Sequence, residues 1–169
     1  RFTQGITKTT INIDLRTIRS AFNRGISMGV LSANPCNTVE QYRNPHQDPD
    51  VFSEKEVISI IASEENALFK VFWTMLYLTA ARRGEILYLE WNDIDFQRKT
   101  IRLRNKKDHT LKTKKPRTIP LSTVLFDILL QLPRKGNFIF CKENGEVYSG
   151  EYVSKRFKDI VRKQKMPEK

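Results

Sequence analysis

The chain has little of what disulfide-bonded, metal-binding or membrane proteins are built from. Its 169 residues include two cysteines and two histidines. Cys36 and Cys141 lie far apart with no CxxC or zinc spacing around them, and His46 and His109 stand alone. Neither a disulfide framework nor a metal site is expected, and two scattered thiols suit a reducing, cytoplasmic setting. No apolar run approaches the roughly 18 residues that a spanning helix needs, so no membrane partner is expected. The first ten residues, RFTQGITKTT, hold no apolar signal-peptide core and no initiator methionine, and read as the start of an excised fragment. Acidic residues are also scarce. Nineteen face thirty basic ones, for a formal charge of +11 and a pI near 9.8. Such an excess implies a polyanionic partner, nucleic acid first; the bland alternative is a solubilising basic surface.

A hydrophobic content of 39% is enough for a packed core. Over residues 9–28, Ile11, Leu15, Ile18, Phe22 and Ile26 recur at steps of three and four, the spacing of an amphipathic helix, with Arg16, Arg19 and Arg24 largely off the stripe. Gly29 and then Asn34–Pro35 stop it. Residues 41–52 read as a linker between a first unit, 1–40, and a second, 53–169. In the second, Ser53 and Glu56 have capping-box spacing before a helix. The run 67–81 is apolar around most of its circumference and belongs at the centre of a core. A short helix over 83–90, a turn at 92–95, strands at 100–104 and 117–121, a helix over 124–132 capped by Ser122, a short strand at 137–141 and a final helix capped by Ser149 complete the reading. The fold class is α+β: a mainly helical domain with a small antiparallel sheet, preceded by one or two helices of another domain.

Arg82 and Glu85 stand three apart at the end of the apolar run. A fixed guanidinium there can offer a phosphate two parallel hydrogen bonds, with the carboxylate holding it from behind. An ordinary intrahelical ion pair, worth a few tenths of a kcal/mol, is the plain alternative. Between 98 and 117 lie ten basic residues and one acidic residue. Because they flank a hairpin rather than a tail, a phosphate-tracking ridge is expected over a merely solvated charge run. The last helix adds a second basic face with Lys155 and Arg156.

The segment TAARRGEILYLEWNDID, 79–95, resembles the T-G-L-R-x-G/S-E-L-x-x-L-x-W-x-D-I-D segment of the tyrosine recombinases, the phage-integrase family. Ala80 stands where glycine is usual. KTKKPRTIPL, 112–121, resembles the same family's K-T-G/x-x-x-R-x-V/I-P-L hairpin, with Lys114 at a common glycine position. The stretch TKTTINIDLRTIRSAFNRGISMGVLSANPCNTV is similar to the last helices of the family's core-binding domain, which clamps the DNA face opposite the catalytic domain. The resemblance covers nearly the whole chain. It implies site-specific recombination or integration in which a phosphotyrosine forms and is resolved, with no metal or other cofactor, on double-stranded DNA and with a homo-oligomer as the working assembly. It makes Arg82 and Lys112 catalytic, Lys112 as proton donor to the leaving 5′ oxygen and Lys114 as its fallback, with Glu85 in support. Lys8, Arg16, Arg19, Arg24, Lys106, Lys107, Lys114, Lys115, Arg117, Lys155 and Arg156 become DNA ligands.

The family's H-x-L-R-H segment and its nucleophilic tyrosine have no match here. Tyr42, Tyr77, Tyr88, Tyr148 and Tyr152 all precede the expected position, so none is assigned as nucleophile. The 169 residues are expected to be inactive alone, as the end of a core-binding domain plus the first part of a catalytic one. Two rivals are a non-catalytic DNA-binding module on the same surface and an RNA-binding protein. The RNA reading predicts exposed stacking aromatics, whereas most aromatics here sit in apolar runs.

Overall fold

A computed structural model describes residues 5–43 and 48–164. Part of the expected linker, including His46, lies outside the described residues, as do 1–4 and 165–169. The chain divides into two compact units, Arg1–Pro49 and Asp50–Lys169.

The first unit is one long helix with a strap folded against it. Helix α1, Lys8–Ser27, starts at Thr7, whose hydroxyl accepts from the Thr10 amide at 3.2 Å. Polar side chains fix the returning chain. Buried Asn12 exchanges two hydrogen bonds with the Tyr42 backbone, at 2.8 and 2.9 Å. Buried Asn34 donates to the Arg19 carbonyl at 3.0 Å and accepts from the Cys36 amide at 2.9 Å. The Arg19 guanidinium donates to the Cys36 and Val39 carbonyls at 2.9 and 2.7 Å. Arg19 therefore closes the strap, bonding the two carbonyls through Nε and Nη2. Lys8, Arg16 and Arg24 are exposed.

The second unit is mixed α+β. Helix α2, Glu54–Ser63, begins with the expected capping box: the Ser53 hydroxyl accepts from the Glu56 amide and the Glu56 carboxylate takes the Ser53 amide at 2.7 Å. Helix α3, Ala67–Thr79, is the central element. Phe69, Phe72 and Met75 are fully buried on it, with Trp73 close behind. Helix α4, Arg83–Leu87, is a single short turn and a half, followed by a 3-10 turn at Trp91–Asp93. Strands β1, Ile94–Asp95, β2, Thr100–Leu103, and β3, Arg117–Pro120, form an antiparallel sheet in that order, with Ile101 opposite both Ile94 and Ile119. Helices α5, Thr123–Gln131, and α6, Gly150–Lys163, are capped by Ser122 and Ser149.

Two sequence expectations fail in detail. The turn expected over 92–95 ends in strand β1, which exists because β2 pairs with it. The strand expected at 137–141 is only a pair of isolated bridges, Glu90 with Phe138 and Cys141 with Val147. Its large residues pack inward, with Ile139 and Phe140 buried, but no neighbouring strand runs alongside.

Helix α3 ends on Ala80, which is left-handed at φ 49°. Glycine adopts that conformation freely, whereas a Cβ there is strained. Ala80→Gly should therefore raise stability by about 0.5–1 kcal/mol, read as a higher urea midpoint, once the larger entropy of glycine in the unfolded chain is offset.

Candidate functional site

Arg82 is held at the point where a buried helix gives way to a short one. Its backbone caps the start of α4, and its amide donates to Glu85 Oε2 at 2.9 Å. Its Nη1 donates to Glu85 Oε1 at 3.1 Å, while half of the side chain, 50%, stays open to solvent. The Glu85 side chain is only 1% exposed. The same carboxylate is gripped from the sheet: Arg117 on β3 donates Nη1 to Oε1 at 3.0 Å and Nη2 to Oε2 at 2.6 Å. The hydrogen bonds from Arg117, then those from the Arg82 amide and guanidinium, outweigh burial and hold the Glu85 carboxyl down at about 2. Glu85 is thus a permanent anion joining α4 to β3, with one guanidinium bound in a fork and the other partly free. Arg117, expected on a DNA ridge, sets its fork on Glu85 while 38% of its side chain stays exposed, and this grip helps to keep Arg82 in place.

Beside this lies a second buried carboxylate. Asp93 accepts from Arg104 Nε at 2.6 Å and from the ammonium of Lys106, which also bonds the Tyr88 carbonyl and pairs with Glu90 at 3.2 Å. Burial pushes the Asp93 carboxyl up, but Lys106 and Arg104 pull harder and it stays below the ordinary value. The Lys106 side chain is 11% exposed. Its charge is paired with Asp93 and Glu90 inside the domain. Adjacent Lys107 is exposed, as are Lys112, Lys114 and Lys115. Lys112 sits on a turn and makes no side-chain hydrogen bond or ion pair among the described residues. Lys114, at the position where the family pattern often has glycine, is left-handed at φ 56°.

Helix α6 divides its two expected ligands. Lys155 is exposed. Arg156 instead crosses to buried Glu64 at the end of α2, donating Nε at 2.8 Å and Nη2 to the other oxygen, with its guanidinium 4.8 Å from the Phe69 ring centre. Trp73 Nε1 donates to the same carboxylate at 3.1 Å. Arg156 is therefore a strut to Glu64, with 28% of its side chain still exposed.

Sequence reasoning did not find the Glu85–Arg117, Asp93–Lys106 and Glu64–Arg156 pairs. No local signal marks partners 32 or 92 residues apart. Among the described residues no cluster could hold a metal ion, and no helix is long and apolar enough to cross a membrane.

Known proteins resemble this chain in sequence and in fold. A model of the phage integrase family matches residues 50–169. The ICEBs1 integrase of Bacillus subtilis (strain 168) is 31% identical over 96 residues, 54% of this chain and 25% of that protein. A XerC-like tyrosine recombinase of Caldanaerobacter subterraneus is 25% identical over 210 residues, covering 98% of this chain and 53% of its own length. The chain thus spans between a quarter and about half of these relatives. The fold superposes on the Tn1549 transposon integrase in complex with transposon right end DNA, with a TM-score of 0.76, 21% identity and coverage of 99% of this chain and 62% of that one. It also superposes on a lambda integrase tetramer bound to a Holliday junction, at 0.78 and 16%, covering 99% and 51%. With a family match across well over half of its length, the chain belongs to the phage integrase family.

Proposed function

We propose that the chain carries part of the phosphoryl-transfer site of a DNA strand-exchange enzyme and grips double-stranded DNA around it. The observation that carries this reading is the Arg82 guanidinium, half open to solvent and locked to a buried carboxylate that also holds Arg117. Such a fork needs no reorganisation to meet the non-bridging oxygens of a phosphate, and preorganised donors of this kind give the largest electrostatic contribution to such reactions. Lys112, exposed and unpaired, is suited to protonate the departing 5′ oxygen as a tyrosine attacks phosphorus. The first unit would be the end of a DNA clamp and the second the leading part of a catalytic domain. The intact enzyme would integrate or recombine DNA as a homo-oligomer in the cytoplasm, where free Cys36 and Cys141 would stay reduced.

The DNA-facing groups in this reading are Lys107, Lys112, Lys114 and Lys115 on the hairpin, Lys155 on α6, and Lys8, Arg16 and Arg24 on α1. The test is titration of a labelled duplex across a range of salt concentrations. Each phosphate neutralised on B-DNA contributes about 0.9 to the magnitude of the log–log salt slope. Replacing Lys107, Lys114 and Lys115 with alanine should weaken binding and lower that slope by about 2–3. Unchanged affinity and slope would remove the hairpin from the DNA-facing surface. On a nicked duplex the same 169 residues should give no covalent adduct in denaturing electrophoresis, since no tyrosine among them is assigned as nucleophile. An adduct would overturn that part.

A further inference from the structure

The loop between β2 and β3 is built into the fold, despite its charge. Asn105 closes its base, donating Nδ2 to the Lys114 carbonyl and accepting from the Leu111 amide, both at 2.9 Å. The Lys106 amide donates to the His109 carbonyl at 2.8 Å, and Leu111 is buried. His109 makes the most specific contact. Its ring lies flat on Tyr88, with centroids 5.0 Å apart and planes 4° from parallel. Its Cε1 lies 2.7 Å from where a Cβ on Gly84 would stand. Gly84 is the second residue of α4 and Tyr88 caps the other end. The imidazole is therefore laid along the same short helix that starts beside Arg82 and contains Glu85, over a glycine that leaves room for it.

We propose that His109 is a positioning residue: clasped between Tyr88 and Gly84, it fixes the loop 105–114 on α4 and so sets where the Lys112 ammonium meets the DNA backbone. This rests on the reading of Lys112 and Arg82 given above. The ring itself touches no reacting atom in this role. It acts by holding one end of the lysine's lever, since a displacement of about 1 Å at a reacting group is enough to cost large factors in rate.

The chemical probe is a duplex carrying one abasic site, whose aldehyde condenses with a nearby lysine amine and is trapped by borohydride; peptide mapping then gives each lysine's share. In the unmodified chain Lys112 should dominate the hairpin adducts. His109→Ala should lower that share several-fold and spread the adducts over Lys107, Lys114 and Lys115. His109→Phe, which keeps the stack, should restore it. Gly84→Val, which evicts the ring without altering it, should imitate His109→Ala. Circular dichroism and the thermal midpoint establish that each variant is folded. Amide exchange across 105–114 reads the clasp without DNA, and should quicken in His109→Ala and recover in His109→Phe. If Lys112 is missing from the unmodified chain's adducts, the reading of Lys112 fails and takes this one with it. If Lys112 dominates equally in folded His109→Ala and loop exchange is unchanged, only the positioning role is overturned.

Discussion

Glu85→Ala should lower stability by about 2–3 kcal/mol, because it strands two guanidinium groups that a buried carboxylate now neutralises. The partial exposure of Arg82 and Arg117, 50% and 38%, keeps the cost below that of a fully buried pair. For a domain of this size the thermal midpoint should fall by about 8–12 °C. The pH dependence gives a sharper check. The Glu85 carboxyl is held at about 2, against an ordinary value of 4.5. A folded value below the unfolded one means stability that is fully present above about pH 4.5 and lost as pH falls towards 2. The difference between the unmodified chain and Glu85→Gln should therefore be widest at neutral pH and shrink through that window. A difference that stays flat between pH 5 and 2 would mean that Glu85 is not the anion binding the two arginines.

Arg156→Ala should be at least as damaging, costing about 3 kcal/mol in a urea titration, since it leaves the Glu64 carboxylate buried without its counter-ion. Burial pushes the Glu64 carboxyl up; Arg156, the Asn66 amide and Trp73 together hold it below the ordinary value. Without the guanidinium the balance tips, and carboxyl NMR should find Glu64 titrating above its position in the unmodified chain. A double-mutant cycle with Glu64→Gln isolates the pair, because the two substitutions should be far from additive. The salt slope of DNA binding by the folded variant should match that of the unmodified chain. A slope reduced by about one phosphate would return Arg156 to the DNA surface.

These pairs mark where the sequence stops being readable. Helix starts were legible because a cap is a local event: Ser53, Ser122 and Ser149 each bond an amide three residues on. The apolar faces of α1 and α6 and the alternation of β2 followed from periodicity, the stop of α1 from Gly29, and residues 117–121 read as the partner strand of β2. The Arg82–Glu85 contact was legible for the same reason of nearness. What charge counting cannot supply is direction. Lys106 and Lys107 are chemically identical neighbours, yet one is bonded to buried Asp93 and the other is exposed, a choice made by the fold around them. Arg117 and Arg156 were read as outward cations because nothing within a helical turn of either announced a distant acid. Strand β1 was missed because two residues become a strand only through their partner. Ala80 and Lys114, two positions where the family pattern often has glycine, both hold a left-handed backbone here, at φ 49° and 56°.

Glu85 also sets how the domain opens. A helix of five residues has too few internal hydrogen bonds to persist alone. Helix α4 is kept by what it is tied to, and one tie is Arg117 on the far strand of the hairpin. Fluctuations that unzip β3 from β2 remove that tie, and the carboxylate that orients the guanidinium at the start of α4 loses its second grip in the same event. If Arg82 binds phosphate as proposed, arrival of the phosphate would favour the closed form of both, and local unfolding and ligand capture would be opposite sides of one equilibrium.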